Sequence, residues 1–413
     1  VIGSRRLQIS TSTARASRSQ YRAEHRGLQL HIEHHRAPLT AIALSVRAGA
    51  RFDGDHPGLA HFTEHMLFQG TDRLSAEELN CLAAELGGQH NAVTRYETIT
   101  LTFECLNQDV ERAVALLADQ YYNTRADAER VRVERSVVLD EIRGYQSDPV
   151  HALEEEALCK FFGGGISHPV TGTASSIKSL TPEQVRAFID RHFVHPATAI
   201  AVIGGAKVDR VARAIEQSFH ATPKPAPPPP RVWAGRSGIL RRQNRGSEGF
   251  VHLLLEAPAS PSDFLASALA LEILGDLPDT RLFREIRGRL GLGYMLETGS
   301  SWGPDWAVLI IGASCPSRQV PRLQEAIEKV CEEAATGGFS ADEVARARKK
   351  LRLNYTLLND SLIDRAVALA EDTVLGFPLP EEACDLLNAI SCETASAAWR
   401  RVWNGRRLFA LLT

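Results

Sequence analysis

The feature that most restricts how this chain can fold is the run "PKPAPPPP" at positions 223–230. Proline has no backbone N–H and a fixed φ, so clustered prolines neither pair into a sheet nor continue a helix. The run is expected to be a stiff, extended linker, taken as residues 223–231. It cuts the 413 residues into a first part, 1–222, and a second part, 232–413. Each lies within usual domain size, and the whole is too long for one ordinary core.

Periodicity fills in the two parts. In the first, "LQLHIEHH" and "LTAIALSVRAGA" read as adjacent strands around the short "RAP" turn. Ser75 and Glu78 form a capping box that opens a helix, and "TITLTFECL" is a further strand. Helical spacing recurs from Val110 to Tyr121 and from Arg130 to Tyr145. Thr181 caps a helix with Pro182 at its first position, and "TAIAVIGGA" closes the part as a strand. The second part runs similarly: a strand at "FVHLLLEAPA", helices at "DFLASALALEILGD" and "RLFREIRGRLG", and strands at "YMLETGSSW" and "WAVLIIGASC". Two long helices follow, the second opened by a Ser340/Glu343 capping box. Strands followed by helices in both parts predict two mixed α+β domains, and the matching order hints at a duplication.

Composition removes several classes of partner. A formal net charge of −3 gives no reason to expect nucleic acid or an anionic membrane. No apolar run approaches the ~20 residues of a membrane-spanning helix. Seven dispersed cysteines without a CxxC pair read as reduced thiols. Residues 1–23 hold five arginines and no acid, read as a basic first strand after a short tail in preference to a transit peptide. The expected compartment is the cytoplasm of a bacterial cell, with an organelle matrix as the alternative.

The chemistry gathers at "GLAHFTEHMLFQGT". On a helix, His61, Glu64 and His65 share one face. Two imidazoles one turn apart suit the tetrahedral shell of zinc, and a neighbouring carboxylate can serve as general base. A polar helix face produces the same triplet, so the motif alone leaves both readings open. Further along, Glu134 and Glu141 lie two turns apart on one helix, with Val133, Val137, Val138 and Ile142 expected to supply its buried side. Paired acids on a helix are usually just solvated. "HIEHH" (His31, His34, His35) also looks like a ligand cluster, but strand alternation divides it between two faces and it is read as surface histidine.

Taken together, H-x-x-E-H, a Glu 76 residues beyond His65 and another Glu seven before that one resemble the pitrilysin/insulin-degrading-enzyme family of inverzincin metallopeptidases, which includes the mitochondrial processing peptidases. "GGQHNAVTRYETITLTF" is similar to that family's substrate-edge strand, and "SHPVTGTASSIKSLT" to the segment after its zinc helices. The resemblance implies one zinc per chain on His61, His65 and Glu141, with Glu64 as catalytic base and Glu134 as a supporting acid. It also implies that Arg287 and Tyr294, in "REIRGRLGLGY", bind substrate and stabilise the carbonyl oxygen, and that Asn91 on the edge strand contacts the peptide. Two departures stand out: "GDLPDTRLF" replaces a small, Gly/Ser-rich approach, and Gly204–Ala206 stands where Gly-Asp is frequent. Full-length relatives carry four such domains in a clamshell, so two domains here imply half of one. A homodimer is expected, a heterodimer with a related subunit being the other arrangement. The function implied is a zinc-dependent endopeptidase acting on unfolded peptides or on one precursor peptide. A non-catalytic scaffold subunit is the alternative.

Overall fold

The computed structural model describes residues 19–220, 224–244, 246–293 and 295–413. The chain forms two compact units, each assembled from three segments: 1–140, 170–230 and 358–379 in the first, 141–169, 231–357 and 380–413 in the second. The proline run thus marks one of several crossings. Residues 141–169 join the second unit and 358–379 the first, each out of step with a single cut.

In chain order the early strands are β1 (Ser19–His25), β2 (Leu28–His34), β3 (Leu39–Val46), β4 (Gln89–Thr94), β5 (Ile99–Leu106), the short β6 (Phe162–Gly164) and β7 (Thr198–Gly204). The first unit holds a six-stranded sheet of order β1-β2-β7-β3-β5-β4. β7 runs parallel to β2 and antiparallel to β3. β2 and β3 are therefore not neighbours, contrary to the sequence expectation. Every residue of β7 is buried, which places it centrally between them. The linking residues 35–38 carry no two-residue hairpin signal and are long enough to step past one strand. β7 does not close this part either, because a helix at Val208–Ser218 follows it.

The second unit contains β8 (Val232–Ala234), β9 (Gly238–Arg242), β10 (Glu248–Glu256), β11 (Leu296–Gly303), β12 (Trp306–Pro316) and β13 (Arg407–Leu412). Its sheet has the order β11-β12-β10-β13-β9, and β13 and β9 are the parallel pair. Reversed, this is the order of the first sheet without β1, with the parallel pair in the same place. The duplication hinted at by element order is thus present in topology, without a residue-level repeat.

Helices complete the correspondence. In chain order the first helices are α1 (Leu59–Met66), α2 (Ala76–Glu85), α3 (Val110–Asn123), α4 (Ala128–Ser147) and α5 (Pro149–Phe161). α5 packs on β10 and β13. Its topological counterpart, the helix Leu362–Leu375, packs on β3 and β7 of the first sheet. There Ala366, Leu369 and Ala370 sit on Ala41, Ala43, Ala199 and Ala201, small side chains that let helix and sheet approach closely. Arg365 on that helix grips Glu33 on β2 with two bonds, at 2.5 and 2.7 Å. Burial pushes the Glu33 carboxyl up, but the hydrogen bonds from Arg365 and His35 outweigh it and hold it at about 2. His31, expected on the surface, is instead buried and bonds Thr373 at 2.8 Å. The helix covering β2 was not legible locally, so its strand face looked exposed. Among the described residues, no helix is long and apolar enough to cross a membrane.

Candidate metal centre

The centre begins with how α1 is held. After β3 the chain runs through Gly49 into a 3-10 turn, Ala50–Phe52, and the amides of Gly49, Ala50 and Arg51 bond the β4–β5 hairpin tip at Glu97, Arg95 and Tyr96. A Cβ on Gly49 would lie 2.4 Å from Arg95 O, so only glycine permits this approach. The next side chain, Asp53, turns back over α1. Its Oδ2 accepts from Gly58 N at 2.6 Å and its Oδ1 from Ala60 N at 2.7 Å. α1 has no capping side chain at its N-cap, Gly58, so Asp53 satisfies the first-turn amides from five residues upstream. Burial pushes the Asp53 carboxyl up, and the amides of Ala60, Gly58 and Leu59 oppose that push.

Leu59, Ala60, Phe62, Thr63 and Met66 are buried along α1, as is His61, while Glu64 and His65 are partly exposed. Helical spacing puts His61, Glu64 and His65 on one face. The His61 and His65 rings lie 4.7 Å apart at 70°. Donor atoms of His61, His65 and Glu141 all fall within 4.8 Å of one another. Among the described residues this is the one group of three or more His, Cys, Asp or Glu that could hold an ion.

α4 supplies the acids. It is unbroken from Ala128 to Ser147, so the unit boundary at 140 falls inside one helix. Glu134 Oε1 lies 2.7 Å from His65 Nδ1, and its Oε2 accepts from Gln69 Nε2 at 2.7 Å. A carboxylate there places the imidazole proton on Nδ1 and leaves Nε2 as the donor atom facing a metal. The buried side of α4 is Val131, Glu134, Val138 and Ile142. Val133 and Val137, expected there, are exposed: they lie about 100° around the helix from Glu134 and Val138.

Two neutral imidazoles and one carboxylate, at this spacing and with an oriented histidine, fit zinc by the chemistry of the donor set. Glu64 is held separately: its Oε2 accepts from Thr94 Oγ1, on β4, at 2.8 Å. β4 is the end strand of its sheet, and Asn91 on it is exposed. Arg287 lies in the second unit on a π-helical turn, Arg284–Arg289, exposed and 5.3 Å from the Phe283 ring centre. Tyr294 lies outside the described residues. Asp53, Gln69 and Thr94 were not singled out from sequence. Asp53 alone carried a signal, an acid shortly before a helix that lacks a capping side chain.

Among the described residues, the second unit has no copy of this centre. The helix after β10, placed as α1 is after β3, is Pro261–Leu274, which contains no histidine.

Comparison with known proteins agrees with this asymmetry. Residues 30–173 match the model of the insulinase family, peptidase family M16, and residues 179–351 match that of the peptidase M16 inactive domain. An uncharacterized zinc protease of Mycobacterium leprae is 30% identical over 348 residues, covering 81% of this chain and 78% of its own length. One from Streptomyces coelicolor is 27% identical, covering 71% and 67%. Among solved structures, a protease from Helicobacter pylori matches with a TM-score of 0.86 at 16% identity, over 96% of this chain and 99% of its own. A structure from Pseudomonas fluorescens described as a peptidase M16 inactive domain gives 0.85 at 20% identity, over 96% and 98%. At such identities these two show the fold alone. With both family models matched in order across the two units, the chain belongs to peptidase family M16, the insulinase family.

Proposed function

We propose that this protein is a zinc-dependent endopeptidase whose centre is His61, His65 and Glu141 with Glu64 as general base. The observation that carries the reading is the convergence of those three donors beside a carboxylate on the same helix turn. Zinc bound there would polarise the scissile carbonyl and make water acidic enough to attack at neutral pH. Glu64 takes the proton from that water and returns it to the leaving amine. Glu134 holds the His65 imidazole in one tautomer and orientation. The outer edge of β4 offers backbone groups on which an extended peptide adds as a further strand, with Asn91 at its side. Arg287 and Tyr294 contribute substrate contacts, and two copies of the chain form the working unit.

The test is hydrolysis of a mixed peptide library by the full-length protein. Activity should disappear with a chelator, return with zinc, and be absent in Glu64→Gln, which keeps the side chain's shape but cannot accept the proton. Glu64→Gln turning over peptides like the parent, with zinc retained, would rule out this base. A zinc-loaded parent chain that cleaves nothing would favour a scaffold subunit.

A further inference from the structure

We infer that Thr94 is a positioning residue for the general base, an inference that rests on the peptidase reading above. Thr94 Oγ1 donates to Glu64 Oε2 at 2.8 Å. The two groups reach each other from different elements: Glu64 from α1, Thr94 from the last residue of β4.

The hydroxyl comes from a well-anchored frame. Threonine is β-branched and stiff at χ1, so its strand fixes where the hydroxyl points. Thr94 pairs with Ile99, and the turn beyond it closes through Arg95 N to Thr98 O at 2.8 Å. The carbonyls of Arg95, Tyr96 and Glu97 receive the amides of Ala50, Arg51 and Gly49 at 2.8–3.1 Å. Arg51 adds a buried ion pair to Glu97 at 2.8 Å. Glutamate, by contrast, has three rotatable side-chain bonds and must lose that freedom to hold one pose. The bond to Thr94 removes it before substrate arrives.

A carboxylate has about four lone-pair sites, so accepting from Thr94 at Oε2 is compatible with Glu64 taking the proton from water and passing it to the leaving amine while that bond persists. Because β4 is also the strand whose edge accepts the peptide, the base is aligned by the element that aligns the substrate.

The experiment compares full-length parent, Thr94→Val and Thr94→Ser on one fluorogenic peptide, with zinc content and calorimetric affinity for a non-cleaved peptide analogue measured on each. Thr94→Val keeps the shape and removes the donor. Its kcat should fall about tenfold, equivalent to about 1.4 kcal/mol of transition-state stabilisation. KM, analogue affinity and zinc content should stay at parental values, and Thr94→Ser should restore most of kcat. An unchanged kcat in Thr94→Val overturns the inference. So does a Ser variant as slow as the Val variant, which would make the role one of packing. A loss confined to KM and analogue affinity also overturns it, by making Thr94 a substrate contact. A zinc-loaded parent that is inactive overturns the peptidase reading and this inference together, whereas an active parent with an indifferent Thr94→Val overturns this inference alone.

Discussion

Removing Glu134 should weaken zinc binding without unfolding the chain. Its carboxylate receives His65 Nδ1 and Gln69 Nε2, both at 2.7 Å and largely out of solvent. Charge-assisted hydrogen bonds of this kind contribute ~1.5–3 kcal/mol. Loss of an outer-shell partner typically lowers metal affinity by about 10–100-fold. The two ranges agree, because tenfold corresponds to about 1.4 kcal/mol. Glu134→Gln should fall near the lower end: its carbonyl can keep His65 if Gln69 turns its amide, so what is lost is charge. Glu134→Ala loses the orientation as well and should approach a hundredfold. The assay is competition for zinc against a chelator of known affinity at neutral pH, with the melting temperature of each metal-free protein as control. An Ala variant binding zinc as tightly as the parent would refute the orienting role. A metal-free melting temperature that collapsed would instead make Glu134 a structural residue.

Other outcomes follow from the same contacts. Arg365→Met should cost ~3–5 kcal/mol in chemical denaturation, because it leaves the Glu33 carboxylate buried without its guanidinium. Glu33 is held at about 2, below its ordinary 4.5, so the unfolded chain binds the proton more readily. This contribution is complete above about pH 5 and is lost as pH falls through about 4.5 towards 2; stability titrations should show that acid slope in the parent and lack it in Arg365→Met. Gly58→Ala should destabilise by ~2 kcal/mol and loosen zinc, since φ is +88° there and the new Cβ would meet Thr171 O at 2.7 Å. Melting temperature and zinc retention on dialysis check it.

What could be read in the sequence, and what could not, divides by range. The α1 triplet was legible because helical geometry turns sequence distance into direction, whereas the link from it to Glu134 and Glu141 came from the family resemblance. The capping box at Ser75 and the N-cap at Thr181 appear as expected, since each is completed within four residues. Long-range partners were not legible. Nothing local to "HIEHH" announces that a helix more than 330 residues away covers His31 and binds Glu33. Nothing in "LTAIALSV" says that β7 will separate it from β2. Val133 and Val137 were misplaced because a valine-rich helix offers two candidate apolar faces, and Glu134, by binding His65, turns the other one inward. Asp53 and Thr94 escaped because their roles depend on where α1 comes to rest.

The central claim, that this helix pair is a zinc centre, is tested most directly by anomalous diffraction. Crystals of the zinc-loaded protein would be measured on both sides of the zinc absorption edge. One zinc peak per chain is expected, bonded to His61, His65 and Glu141 at ~2.0–2.2 Å, with His65 bound through Nε2. No peak at these residues, or a zinc held without Glu141, would contradict it.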